Sequence, residues 1–468
     1  NSYDPSLKYI RDPRATPIVK DALQFAEKHQ LSYNVRLGPI NGWRTVVKMA
    51  VRGVVRKDKR GRDVVSTAIG LFKPGSHTVA PCTQSTAHHP VINQALQLID
   101  EIRKDVGLNG YIEGTGHSCD DDQDETAKLA IAHNCYLKYV LLVLARASRT
   151  VQLSLVWNTE PSGDAQGEAV LQKFLARLRE RAGGDGSALF HSVWVNYNPS
   201  SRYSNAITGR GEDSWRLALG ERYVSEVVKT DMRSPPKLLF PPFVFRQANI
   251  CAFTNIICNV RHWIKDMLSS RQQKETHSET SKKRKLSAPS LLSPELKCVE
   301  LYAGVGTIGL NCLDLLAELN CSDENPHNLA CFEAARAAIE PEELRARAAY
   351  RPQAAGAVAL SGGLRDFDLV LVDPPRKGLD DEVVAALLEQ AQDATSCSSR
   401  NNERLIYVSC GFPAFKRDAA RLLGQTPLPA GDSSQQVRHW RLVHLEGHIL
   451  FPGSDHIETL AVFDRLEN

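Results

Sequence analysis

From Leu296 onward, short unbroken apolar runs alternate with stretches of helical spacing. A run with no polar alternation is buried on both faces, the condition of a strand inside a helix-covered parallel sheet. The runs are Cys298–Tyr302, Asp368–Val372 and Leu405–Val408; the helical stretches are Leu329–Ile339, Glu382–Gln392 and Phe415–Leu423. A last strand pair is expected around Trp440–Leu445 and Thr459–Phe463. The pattern predicts a doubly wound, Rossmann-like α/β domain that binds its ligands at the carboxyl ends of its strands.

Two of those ends carry chemistry. The Leu405 run stops at Ser409-Cys410-Gly411, and Asp366–Leu379 ends its strand in Asp373-Pro374-Pro375-Arg376. Alone, Cys410 reads as a small buried hydrophobe. Beside an acid and an arginine at one sheet edge, it reads as a nucleophile. The first strand is followed by Gly304-x-Gly306-x-x-Gly309, and Asp323 comes about twenty residues after the first glycine, the spacing of a ribose-binding acid. This loop suits NAD and S-adenosylmethionine alike. A hydride enzyme, however, has no use for a thiol at Cys410.

Upstream, residues 14 to 30 look helical, as do Val91–Val106 and Gly167–Arg181. Strand-like patterns fill Tyr33–Val79, Cys135–Ala147, Thr150–Asn158, Val193–Asn198 and Ser204–Ile207. Residues 1–238 therefore read as an α+β, mostly antiparallel module, and 239–468 as the Rossmann-like domain. In the latter, a helix striped by Ile250, Phe253, Ile257, Val260, Ile264 and Leu268 precedes 269–294, a polar stretch expected to be a disordered insertion. Its cluster Lys282-Lys283-Arg284-Lys285 reads as a solvated linker.

The 468 residues carry 57 basic against 54 acidic side chains, a net charge of +3, so composition alone demands no polyanion. Distribution says more: residues 8 to 62 are strongly basic, with Lys8, Arg36, Arg44, Lys48, Arg52, Arg56, Lys57, Lys59, Arg60 and Arg62 among them. Such a region can track phosphates, or it can be the solvated surface of a hairpin. The eleven cysteines contain no Cys-x-x-Cys pair, which argues against structural zinc, any other metal site and an iron–sulfur cluster. It favours a reducing compartment, cytoplasm or nucleus, with an organelle open. No run is long enough to span a bilayer.

Taken together, PPFVFRQAN, ELYAGVGTIGL, VDPPRKGL, YVSCGFPAFKRD and DHIETLAVF resemble the RNA uracil-C5 methyltransferase family, which makes 5-methyluridine in tRNA and ribosomal RNA. The resemblance covers the half from Phe240 onward and reaches more weakly upstream. It implies S-adenosylmethionine as cofactor, an RNA substrate (tRNA or rRNA), and a monomer that acts without a membrane. It implies Cys410 as nucleophile, Glu458 as the base for the C5 proton, and Gln247, Tyr302, Thr307, Asp323 and Asp373 around the cofactor. Arg376 and Lys377 are the cations expected to favour the thiolate. His456 and Glu458, two apart on a strand, point the same way. Departures from the family pattern are Glu300 in place of an aspartate, Gly411 in place of an asparagine, and no clear acid in 341–365. The competing readings are a non-catalytic RNA-binding protein with a degenerate methyltransferase domain and an NAD-dependent oxidoreductase. An RNA cytosine-C5 methyltransferase would carry a cysteine where Arg376 follows Asp373-Pro374-Pro375.

Overall fold

The computed structural model describes residues 4–113, 125–161, 164–182, 189–199, 212–279, 295–389, 402–425 and 439–466. The chain divides into two compact units, each discontinuous in sequence. The first comprises Asn1–Lys8, Pro39–Glu226 and Phe240–Asn249; the second comprises Tyr9–Gly38, Val227–Leu239 and Ile250–Asn468.

The second unit is built on an eight-stranded sheet. In spatial order its strands are Asn34–Leu37, Trp440–Ile449, Glu458–Arg465, Arg404–Ser409, Leu369–Val372, Lys297–Leu301, Glu318–Ser322 and Ala348–Arg351. All neighbours are parallel except at Glu458–Arg465, which runs antiparallel to both its flanks. Asn34–Leu37 comes first in the chain and lies at one edge; from Lys297–Leu301, in the interior, the later strands wind outward in both directions. That reversal creates the switch point where open α/β sheets bind ligands. The interior strands are apolar because both faces are covered: Leu405, Ile406, Tyr407 and Val408 have no accessible surface. On one face the core joins Val19, Ala22 and Ala26 of the helix Pro17–Lys28 to Phe412 and Phe415 of the helix Phe412–Leu422. Phe25 meets both phenyl rings edge-on, with centroids 5.9 and 5.8 Å away.

A single cut at 238/239 therefore differs from these units at three segments, 9–38, 227–238 and 240–249. Residues 9–38 belong with the second unit because Asn34–Leu37 adds a parallel strand to its sheet and Lys416 pairs with Asp21 at 2.7 Å. Residues 240–249 belong with the first unit, where Arg246 donates to the Leu144 carbonyl at 2.7 Å and to Glu226. The expected insertion also begins too early. The helix Ile250–Glu279 runs eleven residues into it, and Arg271 anchors this polar end to Asp368 at 2.8 Å and Glu403 at 2.7 Å. Residues 280–294, with the basic cluster, and the strand expected at 204–207 lie outside the described residues.

The first unit holds a seven-stranded sheet in the order Val79–Pro81, Asp63–Phe72, Val46–Lys57, Leu137–Ala145, Thr150–Trp157, Phe190–Tyr197 and Trp215–Gly220. It is antiparallel throughout except between Thr150–Trp157 and Phe190–Tyr197, which the helix Ala165–Ala182 links as a parallel crossover. That helix and Pro90–Asp105 cover one face through Phe174, Leu178, Ile99 and Ile102. The long hairpin Val46–Lys57/Asp63–Phe72 turns at Asp58–Arg62, where Arg56, Lys57, Lys59, Arg60 and Arg62 are exposed.

Candidate active site

Strand register brings Cys410 to Glu458. Ser409 pairs with Thr459 across the antiparallel strands Arg404–Ser409 and Glu458–Arg465. One step further along each chain stand Cys410 and Glu458, cross-strand neighbours at the carboxyl edge of the sheet. On the other flank Val372 pairs with Tyr407, which brings Asp373 and Pro374 to the same edge. The Cys410 Sγ lies 4.0 Å from the Pro374 carbonyl oxygen. Gly411 makes this approach possible. A Cβ there would sit 2.5 Å from the Arg376 carbonyl oxygen and 3.0 Å from its Cα. The asparagine usual in the family has no room in this arrangement. Asp418, fully buried, secures the loop after Asp373 by accepting from the Leu379 N–H (2.8 Å) and the Tyr407 hydroxyl (2.9 Å). The sequence reading overlooked Asp418, although it closes the YVSCGFPAFKRD motif.

The electrostatics reverse one expectation. Burial pushes the Cys410 thiol up to about 12, and the charges of Glu458 and Asp373 push the same way, with Arg376 opposing them. Lys377 is exposed and donates to Asp380 at 2.6 Å, so it does not serve the thiol. The guanidinium of Arg376 lies 3.1 Å from the ring of His456. Burial also raises Glu458 to about 8, helped by Asp373 and opposed by Arg376. Burial alone raises Asp373 to about 7. The resting site therefore holds a neutral thiol beside two carboxyl groups that titrate close to neutrality. Such groups are suited to taking and giving protons.

The glycine loop lies at the switch point. Leu301 pairs with Ser322, so Tyr302 and Asp323 leave adjacent strands together. Asp323 accepts from the Gly304 N–H (3.0 Å), the Asn325 N–H (2.9 Å) and the Asn328 amide (3.0 Å). Gly304 has φ +56°, and a Cβ added there would meet nothing within 4 Å, which marks an open cradle above the loop. Tyr350 closes the cradle's base by donating to the Gly304 carbonyl at 2.8 Å. Tyr302, at φ +57°, donates to Asp380 at 3.1 Å. Thr307 offers its carbonyl to Asn311 at 2.9 Å. Glu300 lies beneath the loop and accepts from the Gly309 N–H (3.1 Å) and the Cys321 thiol (3.0 Å). Burial raises this carboxyl to about 8. An open glycine turn beside a fixed acid fits a nucleoside-bearing cofactor. The second unit thus brings together Tyr302, Thr307, Asp323, Asp373, Cys410 and Glu458, while Gln247 lies in the first unit's Phe240–Asn249 segment.

No family model matches the chain. It is 31% identical over 438 residues to an uncharacterized RNA methyltransferase of Protochlamydia amoebophila, covering 94% of this chain and 90% of the relative. A shorter match, 35% identical over 102 residues, links 22% of the chain to 20% of the 23S rRNA (uracil(1939)-C(5))-methyltransferase RlmD of Ralstonia pickettii. Among solved structures, the Pyrococcus abyssi tRNA (uracil-54, C5)-methyltransferase, in complex with S-adenosyl-L-homocysteine, superposes with a TM-score of 0.57 at 16% identity. That match covers 94% of this chain and 81% of the other.

The fold is that of the Pyrococcus abyssi methyltransferase. The chain belongs to the RNA methyltransferase family, which bears out the resemblance carried by its motifs. Among the described residues, no helix is long and apolar enough to cross a membrane.

Proposed function

We propose that this enzyme methylates C5 of a uridine in tRNA or rRNA through a covalent bond between Cys410 and C6 of the uracil ring. The observation that carries the reading is the register that sets Cys410 against Glu458, with Asp373 beside them. C5 of uracil is a weak nucleophile. A sulfur bonded to C6 turns it into an enolate-like carbon, splitting one difficult step into easier ones. Because the Cys410 thiol rests protonated, it adds as its proton passes to the Asp373 carboxylate, which returns it to the sulfur when the carbon–sulfur bond breaks; Glu458 stays ionised for the C5 proton. S-adenosylmethionine, when bound, supplies the electrophilic methyl group; Tyr302, Thr307, Asp323 and Asp373 are the second unit's residues that would hold it. Glu458 then removes the C5 proton and the carbon–sulfur bond breaks, returning Cys410. A duplex or stacked uridine reaches a buried thiol only after leaving its stack. The first unit, with its basic hairpin, is the RNA-recognition module of this reading. A non-catalytic RNA-binding role leaves unexplained why a thiol and two acids share one buried edge.

RNA bearing 5-fluorouridine tests the first step, because fluorine cannot leave as a proton does. The wild-type enzyme with S-adenosylmethionine should form a complex that survives denaturing electrophoresis, and Cys410→Ala should not. A wild-type enzyme that methylates uridine RNA yet forms no such complex would overturn the covalent route.

A further inference from the structure

The edge that carries Cys410 and Glu458 continues sideways into a buried polar row with no part in the covalent steps. His448 pairs directly with Glu458 across the antiparallel strands, and Arg36 pairs with His448 across the parallel ones. Glu446, two residues before His448, points to the same face. His448 and Glu446 are only 2% and 4% exposed. The Nε2 of His448 is 2.9 Å from Glu446 Oε1, and Asn259, on the helix Ile250–Glu279, donates to that same oxygen. On the outer side, His444 and the half-exposed Arg36 approach Glu446 Oε2 at 3.7 and 3.8 Å. Burial alone would push the Glu446 carboxyl up, but hydrogen bonds from His444, His448 and Asn259 outweigh it and hold the group ionised. A buried charged cluster is seldom better for stability than well-packed apolar residues. This one lies next to the base of the reaction.

The reaction has a need that this row meets. Exchanging the C5 hydrogen for a methyl group leaves one proton on Glu458 at every turnover. That carboxyl is buried, accepts no hydrogen bond among the described residues, and must be ionised again before it can act.

We propose that His448, backed by Glu446, is the proton exit of the methyl transfer. With Nε2 turned to Glu446, Nδ1 is the ring nitrogen left to take a proton from Glu458. The proton on the Glu458 carboxyl moves to that nitrogen, Glu458 becomes carboxylate, and the imidazolium formed is paired with the Glu446 carboxylate. The imidazolium then passes its Nε2 proton to Glu446, whose Oε2, on the side of His444 and Arg36, gives it to water, and the ring returns to its starting tautomer. The inference rests on the covalent reading above, in which Glu458 is the base.

His448→Gln and Glu446→Gln, made in the full chain, test it on unmodified tRNA transcripts with S-adenosylmethionine. Both variants should form the 5-fluorouridine adduct at the wild-type rate. On uridine transcripts they should show a burst of about one methyl per enzyme, followed by steady turnover about tenfold or more below wild type. Steady turnover at the wild-type rate without a burst overturns the proposal. Adduct formation that falls in parallel with turnover also overturns it, because the pair is then only packing. An adduct absent from the wild-type enzyme as well marks failure of the covalent reading itself, and the proton exit falls with it.

Discussion

At the scale of single residues, the site depends on where protons rest. Cys410→Ala should abolish methylation while leaving RNA affinity within about twofold, as filter binding would show, because the thiol acts only after the base has arrived. Glu458→Gln should allow methyl transfer but stall before release, and a denatured-gel shift with ordinary uridine RNA would reveal the trapped complex. The pH dependence has a definite sign. In the proposed route Glu458 acts only when ionised, and it is raised to about 8, so turnover should climb as pH rises from 6 towards 9, with its midpoint near that value. A rate that falls across that interval would show that the protonated form is the active one. The roles of Cys410 and Glu458 were legible in the motifs, but the pH dependence was not. Arg376 and Lys377 flank the Asp-Pro-Pro turn and suggested a thiolate, but linear charge says nothing about desolvation, which dominates at Cys410.

At the scale of elements, the site is positioned by close approaches and by anchors. Gly411→Ala would force a Cβ against the Arg376 backbone, so it should slow adduct formation by at least about tenfold; rates equal to wild type would show that the loop gives way easily. Arg261, only 2% exposed, ties the long helix to Asp314 at 2.9 Å and to Asp231. Arg261→Ala removes those hydrogen bonds, though both carboxylates keep access to water, and should cost about 1–3 kcal/mol in chemical denaturation. Most elements could be read in advance: the runs at Cys298, Asp368 and Leu405 became strands, and the stripe from Ile250 became a helix. Others could not. Glu318–Ser322 and Ala348–Arg351 carry polar and small residues because they lie toward one edge of the sheet, so their apolar signal is weak. Periodicity identified a strand-like stretch after Tyr33 but not its partner, which lies more than four hundred residues away at Glu446–Ile449.

At the scale of the whole molecule, two properties follow. Glu300 and Glu458 are both buried acids raised from 4.5 to about 8. The folded state keeps their protons where the unfolded chain has lost them. Their contribution to stability is therefore complete below about pH 4.5 and drains away as pH rises to 8. The melting temperature should decline between pH 5 and 9, and Glu300→Gln should flatten that slope; an unchanged slope would exclude Glu300 as a cause. The second property concerns RNA. If the hairpin tip of the first unit meets phosphates, Lys59→Glu with Arg60→Glu should weaken binding, and should reduce the dependence of log affinity on log salt by about 0.7 per lost contact to single-stranded RNA. An unaltered salt slope would move the phosphate track elsewhere.

The reversed strand Glu458–Arg465, wedged between Arg404–Ser409 and Trp440–Ile449, has a consequence for synthesis. The ribosome delivers Cys410 forty-eight residues before the carboxylate that completes its chemistry, and the slot between those two strands stays vacant until Glu458–Arg465 emerges. On the covalent route proposed above, a nascent chain with its cofactor loop and sulfur in place would still be unable to release a methylated base. Competence arrives in one step, when the final strand docks.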